Sequence, residues 1–255
     1  MTAVVTGASG TIGGAIAQAL AGAGHPVVAV GRDVRRLAAL RDRVEADGGA
    51  CATVVADVTE PGEWAAGLAD RIAGESRLVL VNAAGVHGAL GPVAETPAGE
   101  WTRVFGTNLF AAVAAVRALV PRMVAAGWGR VVNVSSAAGV APAGPFNAPY
   151  ATSKAALNRF TAHLAAEVAG TGVTAHAIHP GDVVSGMHGE IARMAAAEPR
   201  LAGYRAWAEA TDAGGTDPEA AGRLVLRLLD DAYAEGHNGW FLWPDGDPRQ
   251  PFRLT

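Results

Sequence analysis

The sequence predicts an α/β domain built on a doubly wound parallel sheet. Three observations carry this: short apolar runs recur along the chain, helical patterns separate them, and 255 residues suit one core. A strand covered on both faces by crossover helices has no solvent face, so it reads as a near-continuous apolar run. Such runs fall at residues 3–6, 27–30, 52–56, 78–81, 131–134 and 173–178, with a short last one at 240–243, which predicts seven strands. Apolar side chains at helical spacing follow the first three: Ile12, Ile16, Ala19 and Leu20, then Leu37, Leu40 and Val44, then Trp64, Leu68 and Ile72. Longer helices are expected over 101–126 and 150–168. Residues 1–255 form a single domain, in which 182–217 stands apart as a mobile lid. It has helix-like patches at 191–197 and 204–210, broken by Pro199, Gly214 and Gly215.

Composition narrows the function. Hydrophobic residues make up 50% and charged residues 17%, which excludes a disordered chain. Twenty basic against twenty-four acidic side chains leave a net charge of −4 with no basic run, so no nucleic-acid partner is expected. Cys51 has no second cysteine to pair with, and no His or Cys grouping has metal-site spacing, so no metal is expected. The first residues enter an apolar strand at once, without the regions of a signal peptide. The most apolar stretch, 109–116, is shorter than the roughly 20 residues that span a bilayer and is followed by Arg117. No membrane partner and a cytoplasmic location are the expectation.

In such sheets ligands bind beyond the carboxyl ends of the strands. The first strand runs into Thr6-Gly7-Ala8-Ser9-Gly10-Thr11-Ile12-Gly13 and a helix. Glycines let the backbone approach a pyrophosphate, and the helix N-terminus presents N–H groups to it. Alone, such a turn in an Ala- and Gly-rich chain is as consistent with a structural role. Gly31-Arg32-Asp33 follows the second strand. An acidic side chain here binds the ribose 2′-hydroxyl of NAD, whereas an Arg accommodates the 2′-phosphate of NADP. Arg32 favours NADP(H); Asp33, one place later, leaves NAD(H) as the alternative.

Tyr150 and Lys154 lie one turn apart at the start of an apolar helical pattern, so both side chains can face one site. A nearby cation lowers a phenol's pKa by roughly 1–3 units and brings it toward neutral-pH proton transfer. Ser136, at the end of the fifth strand, can hydrogen-bond a substrate oxygen. A Tyr and a Lys at this spacing are, by themselves, more often an ordinary helix face.

Together these segments resemble the short-chain dehydrogenase/reductase family, with a Gly-rich first turn, Asn82-Ala83-Ala84-Gly85 after the fourth strand, and Ser136 with Tyr150-x-x-x-Lys154. The resemblance runs from Val4 to about Ser185 and implies a Rossmann-type domain. It places Gly7, Ser9, Gly10, Thr11, Ile12, Gly13, Arg32, the Asp57-Val58 pair, Asn82, Ala83, Ala84, Gly85, Tyr150 and Lys154 around a nicotinamide dinucleotide. Pro180, Gly181, Val183 and Ser185 would flank the nicotinamide carboxamide. By the same resemblance Tyr150 is the general acid or base, Lys154 lowers its pKa and holds the ribose, and Ser136 positions the carbonyl. Asn108 would support a water-linked proton path. The first turn has the spacing Gly-x-x-Gly-x-x-Gly of the family's longer members, and residues 238–246 lack its usual closing Asp-Gly-Gly.

The function this implies is hydride transfer between NADP(H) and a ketone or secondary alcohol. The substrate is expected to be a sizeable hydrophobic molecule, because His87, Leu90, Phe146, Met187, His188, Tyr204 and Trp207 follow the cofactor segments. A non-redox lyase, epimerase or cyclase on the same fold, and a non-catalytic NADP sensor, are the alternatives. Small apolar residues on the two long helices, together with the family's habit, imply a homodimer or homotetramer.

Overall fold

Strand and helix alternate along the chain in the computed structural model, which describes residues 1–244, 247 and 249–254. The first half runs β1 (Thr2–Thr6), α1 (Thr11–Gly22), β2 (Val27–Gly31), α2 (Val34–Ala46), β3 (Cys51–Val55), α3 (Pro61–Ala69) and β4 (Leu78–Asn82). There follow α4 (Ala98–Phe105), a π turn (Gly106–Phe110), α5 (Ala111–Ala126), β5 (Gly129–Val134), α6 (Ala148–Glu167) and β6 (Val173–Ile178). The last part comprises α7 (Gly186–Ala197), α8 (Ala202–Gly214), α9 (Glu219–Arg227), α10 (Asp231–Gly236), β7 (Trp240–Leu242) and β8 (Phe252–Arg253).

The strand order is β3-β2-β1-β4-β5-β6-β7-β8, parallel throughout except for the antiparallel β7–β8 pair. Chain direction across the sheet reverses between β1 and β4, the switch point where α/β sheets open a crevice. Successive residues of β1 feed opposite layers: Ala3 and Val5 pack with Ile16, Leu20 and Leu224, while Val4 packs with Trp64, Leu119 and Met123. Burial on both faces is why the strands read as unbroken apolar runs.

The sheet has eight strands rather than the predicted seven. β8 is two exposed residues, Phe252 and Arg253, held to β7 by backbone pairing and by stacking of Phe252 on Phe241 at 5.4 Å. Two residues carry no periodicity for a sequence to display. In the closing segment 238–246, Asp245 and Gly246 lie outside the described residues.

Residues 98–126 form one continuous helical run, α4, the π turn and α5. By length and composition alone it is apolar enough to cross a membrane, which the 109–116 stretch did not suggest. One face instead packs into the core through Ala111, Ala115, Leu119 and Met123, and Arg122 donates to the Ile72 carbonyl at 2.8 Å. The expected lid is mostly helix, α7 and α8 joined by a 3₁₀ turn at Pro199–Leu201. Its two ends are clipped together where Thr216 N–H donates to the Asp182 carbonyl at 2.7 Å.

Candidate active site

β1 ends in a turn that only glycine can make. Gly7 has φ +67°, and a Cβ there would lie 2.6 Å from the Ala84 nitrogen; one on Gly13 would lie 2.4 Å from the Gly7 oxygen. α1 begins at Thr11 without a side-chain cap, so no side chain satisfies its first N–H groups. An uncapped helix N-terminus behind a turn that glycines keep tight fits a pyrophosphate. Asn82-Ala83-Ala84-Gly85 closes against this turn. The Asn82 side chain itself turns into the sheet, donating to Asn133 Oδ1 at 2.9 Å, and Asn133 donates on to Thr161 at 2.8 Å. Its side chain therefore ties β4 to β5 and α6.

At the end of β2, Asp33 caps α2: its Oδ1 accepts from the N–H groups of Arg35 and Arg36, each at 3.0 Å. Arg32 is 71% exposed and meets Asp57 at 3.4 Å. Thr59 N–H, aided by its hydroxyl and by Arg32, holds the Asp57 carboxyl below the usual range despite partial burial. Val58 is buried beside Asp57.

Beyond β5, Ser136 caps a short 3₁₀ turn, accepting from Ala138 N–H at 3.2 Å. The Ser136 hydroxyl lies near the Tyr150 phenol and favours its ionised form. Both line a cavity of about 580 Å³, whose wall also includes Ile12, Pro180, Gly181, Val183 and Ser185. Ile12 at the start of α1, Ser136, Tyr150 and the segment after β6 thus share one space. Lys154 is buried and donates from Nζ to the Val134 carbonyl at 2.8 Å, and its Nζ lies 5.8 Å from the Tyr150 ring centroid. Burial pulls the Lys154 pKa down to about 8. Burial pushes the Tyr150 phenol up, Ser136 opposes this, and the negative Asp182 adds to it. The lowering expected from Lys154 is not found: burial outweighs Ser136, and the Lys154 ammonium is aimed at the Val134 carbonyl.

The π turn of 106–110 carries Asn108 inward. Its Oδ1 accepts from Val86 N–H at 2.8 Å, and its Nδ2 donates to the Val86 carbonyl at 3.0 Å and to Ser153 Oγ at 2.9 Å. A Cβ on Gly85 would lie 3.4 Å from Asn108 Oδ1 and 3.6 Å from Lys154 Nζ, so the Asn108 amide and the lysine flank one glycine.

Residues 1–196 match the family model of the short chain dehydrogenases. The protein belongs to the short-chain dehydrogenase/reductase family. It is 38% identical over 188 residues to a short chain dehydrogenase of Pseudocercospora fijiensis, a match spanning 72% of this chain and 60% of that protein. It is 34% identical over 255 residues to the galactitol 2-dehydrogenase (L-tagatose-forming) of Cereibacter sphaeroides, covering 94% of this chain and 95% of that one. Among solved structures, L-sorbose reductase from Gluconobacter frateurii, complexed with NADPH and L-sorbose, superposes with a TM-score of 0.80 at 27% identity, covering 96% and 95% of the two chains.

Within this short-chain dehydrogenase/reductase the pocket residues expected from sequence sort themselves. His87, Phe146, Met187, His188, Tyr204 and Trp207 line the cavity with Ser136; Leu90 lines a neighbouring one. His87 is buried and stacks on Tyr150 with ring centroids 4.5 Å apart, and burial lowers its pKa. His179 was missed. It is buried, lines the cavity, and accepts from Ala137 N–H through Nδ1 at 3.2 Å, so β6 steadies the backbone beside Ser136. Burial pulls its pKa down to about 4, which keeps the ring neutral. Its place immediately before Pro180-Gly181 was the available sequence signal.

Proposed function

We propose that the protein is an NADP(H)-dependent ketoreductase acting on a sizeable apolar ketone and, in reverse, on the secondary alcohol. The observation that carries this is one cavity that holds Ser136 and Tyr150 and whose exposed wall is mostly apolar, with Ile12, Phe146, Val183, Met187, Ile191 and Trp207 beside polar residues that include His87, Asn147, Asp182 and His188. A polyol needs a polar partner for each hydroxyl, and a wall whose exposed surface is mostly apolar suits a ketone with fewer of them. Gly7, Ser9, Gly10, Thr11, Ile12 and Gly13 would hold the pyrophosphate, Arg32 the 2′-phosphate, Asp57 and Val58 the adenine. Ala83, Ala84 and Gly85 would pass beneath, and Pro180, Gly181, Val183 and Ser185 would flank the carboxamide. NADPH, when bound, supplies the hydride to the carbonyl carbon.

The chain's own residues handle the oxygen. Ser136, its hydroxyl fixed by Ala138 N–H, donates to the substrate oxygen, and Tyr150 gives it a proton as negative charge develops. A phenol kept protonated by burial is ready to act as the acid. The positive Lys154 stabilises the phenolate left behind, and a proton returns to Tyr150 along the Lys154 side. Both polar atoms of the Asn108 side chain are engaged, so its part in that return falls to the backbone of the π turn, where i→i+5 bonding displaces a carbonyl from the α-helical ladder. The working unit is a homodimer or homotetramer. The test is consumption of NADPH with a panel of ketones. Turnover of polyol ketoses alone would favour the sugar-alcohol reading that the galactitol and sorbose enzymes suggest.

A further inference from the structure

The cavity containing Ser136 and Tyr150 has a neighbour. A second cavity of about 340 Å³ is lined by Leu90, Pro92, Pro97, Met194 and Leu201 among others, and the side chains of Phe146 and Arg200 belong to the walls of both. Phe146 has φ 73° and is the one non-glycine residue with positive φ among the described residues. Bulky side chains avoid that region, and such a conformation persists where the surroundings over-determine it. Here they do. The Phe146 carbonyl accepts from Gly91 N–H at 2.8 Å, and the preceding Pro145 carbonyl accepts from the Tyr204 hydroxyl at 2.9 Å. Arg200, paired with Glu198 at 3.2 Å and Glu95 at 3.7 Å, holds its guanidinium 6.0 Å from the Phe146 ring centroid. The segments after β4, before α6 and before α8 thus meet on one residue between two chambers.

Resting on the ketone reading above, we propose that Phe146 is a specificity-determining partition. It confines the substrate to the chamber of Ser136 and Tyr150, and the chamber behind it is an apolar subsite that receives a longer hydrocarbon chain once the ring is gone. The fitting ligand is an uncharged straight-chain ketone with its carbonyl near one end. Leu90, Pro92, Met194 and Leu201 offer such a chain apolar contact, while the charged groups at the rim are paired with one another. Each methylene moved from water into apolar walls tightens binding about fourfold. Affinity therefore climbs with chain length until the chain meets Phe146 and then levels off.

The test is a series of methyl ketones, from 2-butanone to 2-dodecanone, titrated calorimetrically into the full-length protein saturated with NADP+, where no turnover occurs. In the unaltered protein the dissociation constant falls with length and then reaches a plateau. In Phe146→Ala the plateau moves to longer ketones, the longest binds about tenfold tighter, and 2-butanone changes less than twofold. Phe146→Gly, which keeps the left-handed backbone without strain, gives the same shift should the alanine variant fold poorly. Adding Met194→Trp, which fills the outer chamber, returns the plateau to its original length. A plateau at the same length in all variants, or a uniform change at every length, overturns the partition. Since binding is read without turnover, a protein that shows the shift but reduces no ketone refutes the catalytic reading alone. One that binds no ketone refutes both.

Discussion

Cofactor choice turns on three neighbouring residues. Asp33 spends one carboxylate oxygen on capping α2, and its other oxygen lies 3.4 Å from Arg36, whose charge a ribose hydroxyl would have to compete with. Arg32 has only an exposed contact with Asp57 at 3.4 Å, the kind of pair worth little in water, and is free to meet a 2′-phosphate. NADPH is expected to bind about ten- to a hundredfold more tightly than NADH. Arg32→Ala should remove most of that difference. In Gly31→Asp the new Cβ would lie 2.8 Å from Ser9 Oγ, so both cofactors should weaken while their ratio reverses. Dissociation constants for the three proteins decide this, and a preference of the unaltered protein for NADH would refute it. Lys154 supplies a second expectation. With its pKa near 8, the ammonium is present below that pH and lost above it, so kcat/KM for reduction should decline above about pH 8. A profile flat to about pH 10 would contradict the role given to this charge. Ser136, Tyr150 and Lys154 were legible in the sequence because a strand end and one helical turn set their spacing. The burial of His179 and the positive φ of Phe146 were not, since each arises from contacts made by distant segments.

Among the elements, the predicted strands were legible because most are buried on both faces, which needs a continuous apolar run; β3, at the sheet edge, is partly exposed yet still rich in apolar residues. The π turn at Asn108 lies inside a run of 29 helical residues, and one widened turn leaves no periodic mark. The third helix stops at Ala69 although Ile72 continues its apolar spacing, because Ile72 is buried from the loop that follows. β5, which delivers Ser136 at one end, is anchored at the other by a buried arginine whose role composition could not reveal. Arg130 donates to the carbonyls of Leu228 at 3.0 Å, Gly129 at 2.9 Å and Gly172 at 3.2 Å, pairs with Asp231, and lies against the Trp128 ring at 4.5 Å. Removing it strands the Leu228 carbonyl and leaves a cavity beside Trp128. Arg130→Ala should lower unfolding free energy by about 3 kcal/mol in urea titration, with NADPH affinity little changed once folded. A loss of under about 0.5 kcal/mol would show that the anchor is dispensable.

At the scale of the molecule, Phe110 and Val124 stand 60% and 40% exposed on the long helix whose other face forms the core. Exposed apolar side chains on a helix of this length suit a twofold contact, which repeats each of them across the axis. Sedimentation velocity at micromolar concentration should show a dimer or tetramer, and Phe110→Glu should shift it toward monomer. A monomer before any substitution would refute the assembly. The proposed catalysis, by contrast, rests on the cavity in which Ser136 and Tyr150 meet a mostly apolar wall. The most direct test of that arrangement is to follow NADPH absorbance with an apolar ketone while recovering the product, in the unaltered protein and in Tyr150→Phe. One secondary alcohol should form for each NADPH consumed. In the variant, turnover should fall at least about a hundredfold while NADPH binding stays within a few-fold. Near-normal turnover by Tyr150→Phe, or no ketone reduced by the unaltered protein, would contradict the mechanism.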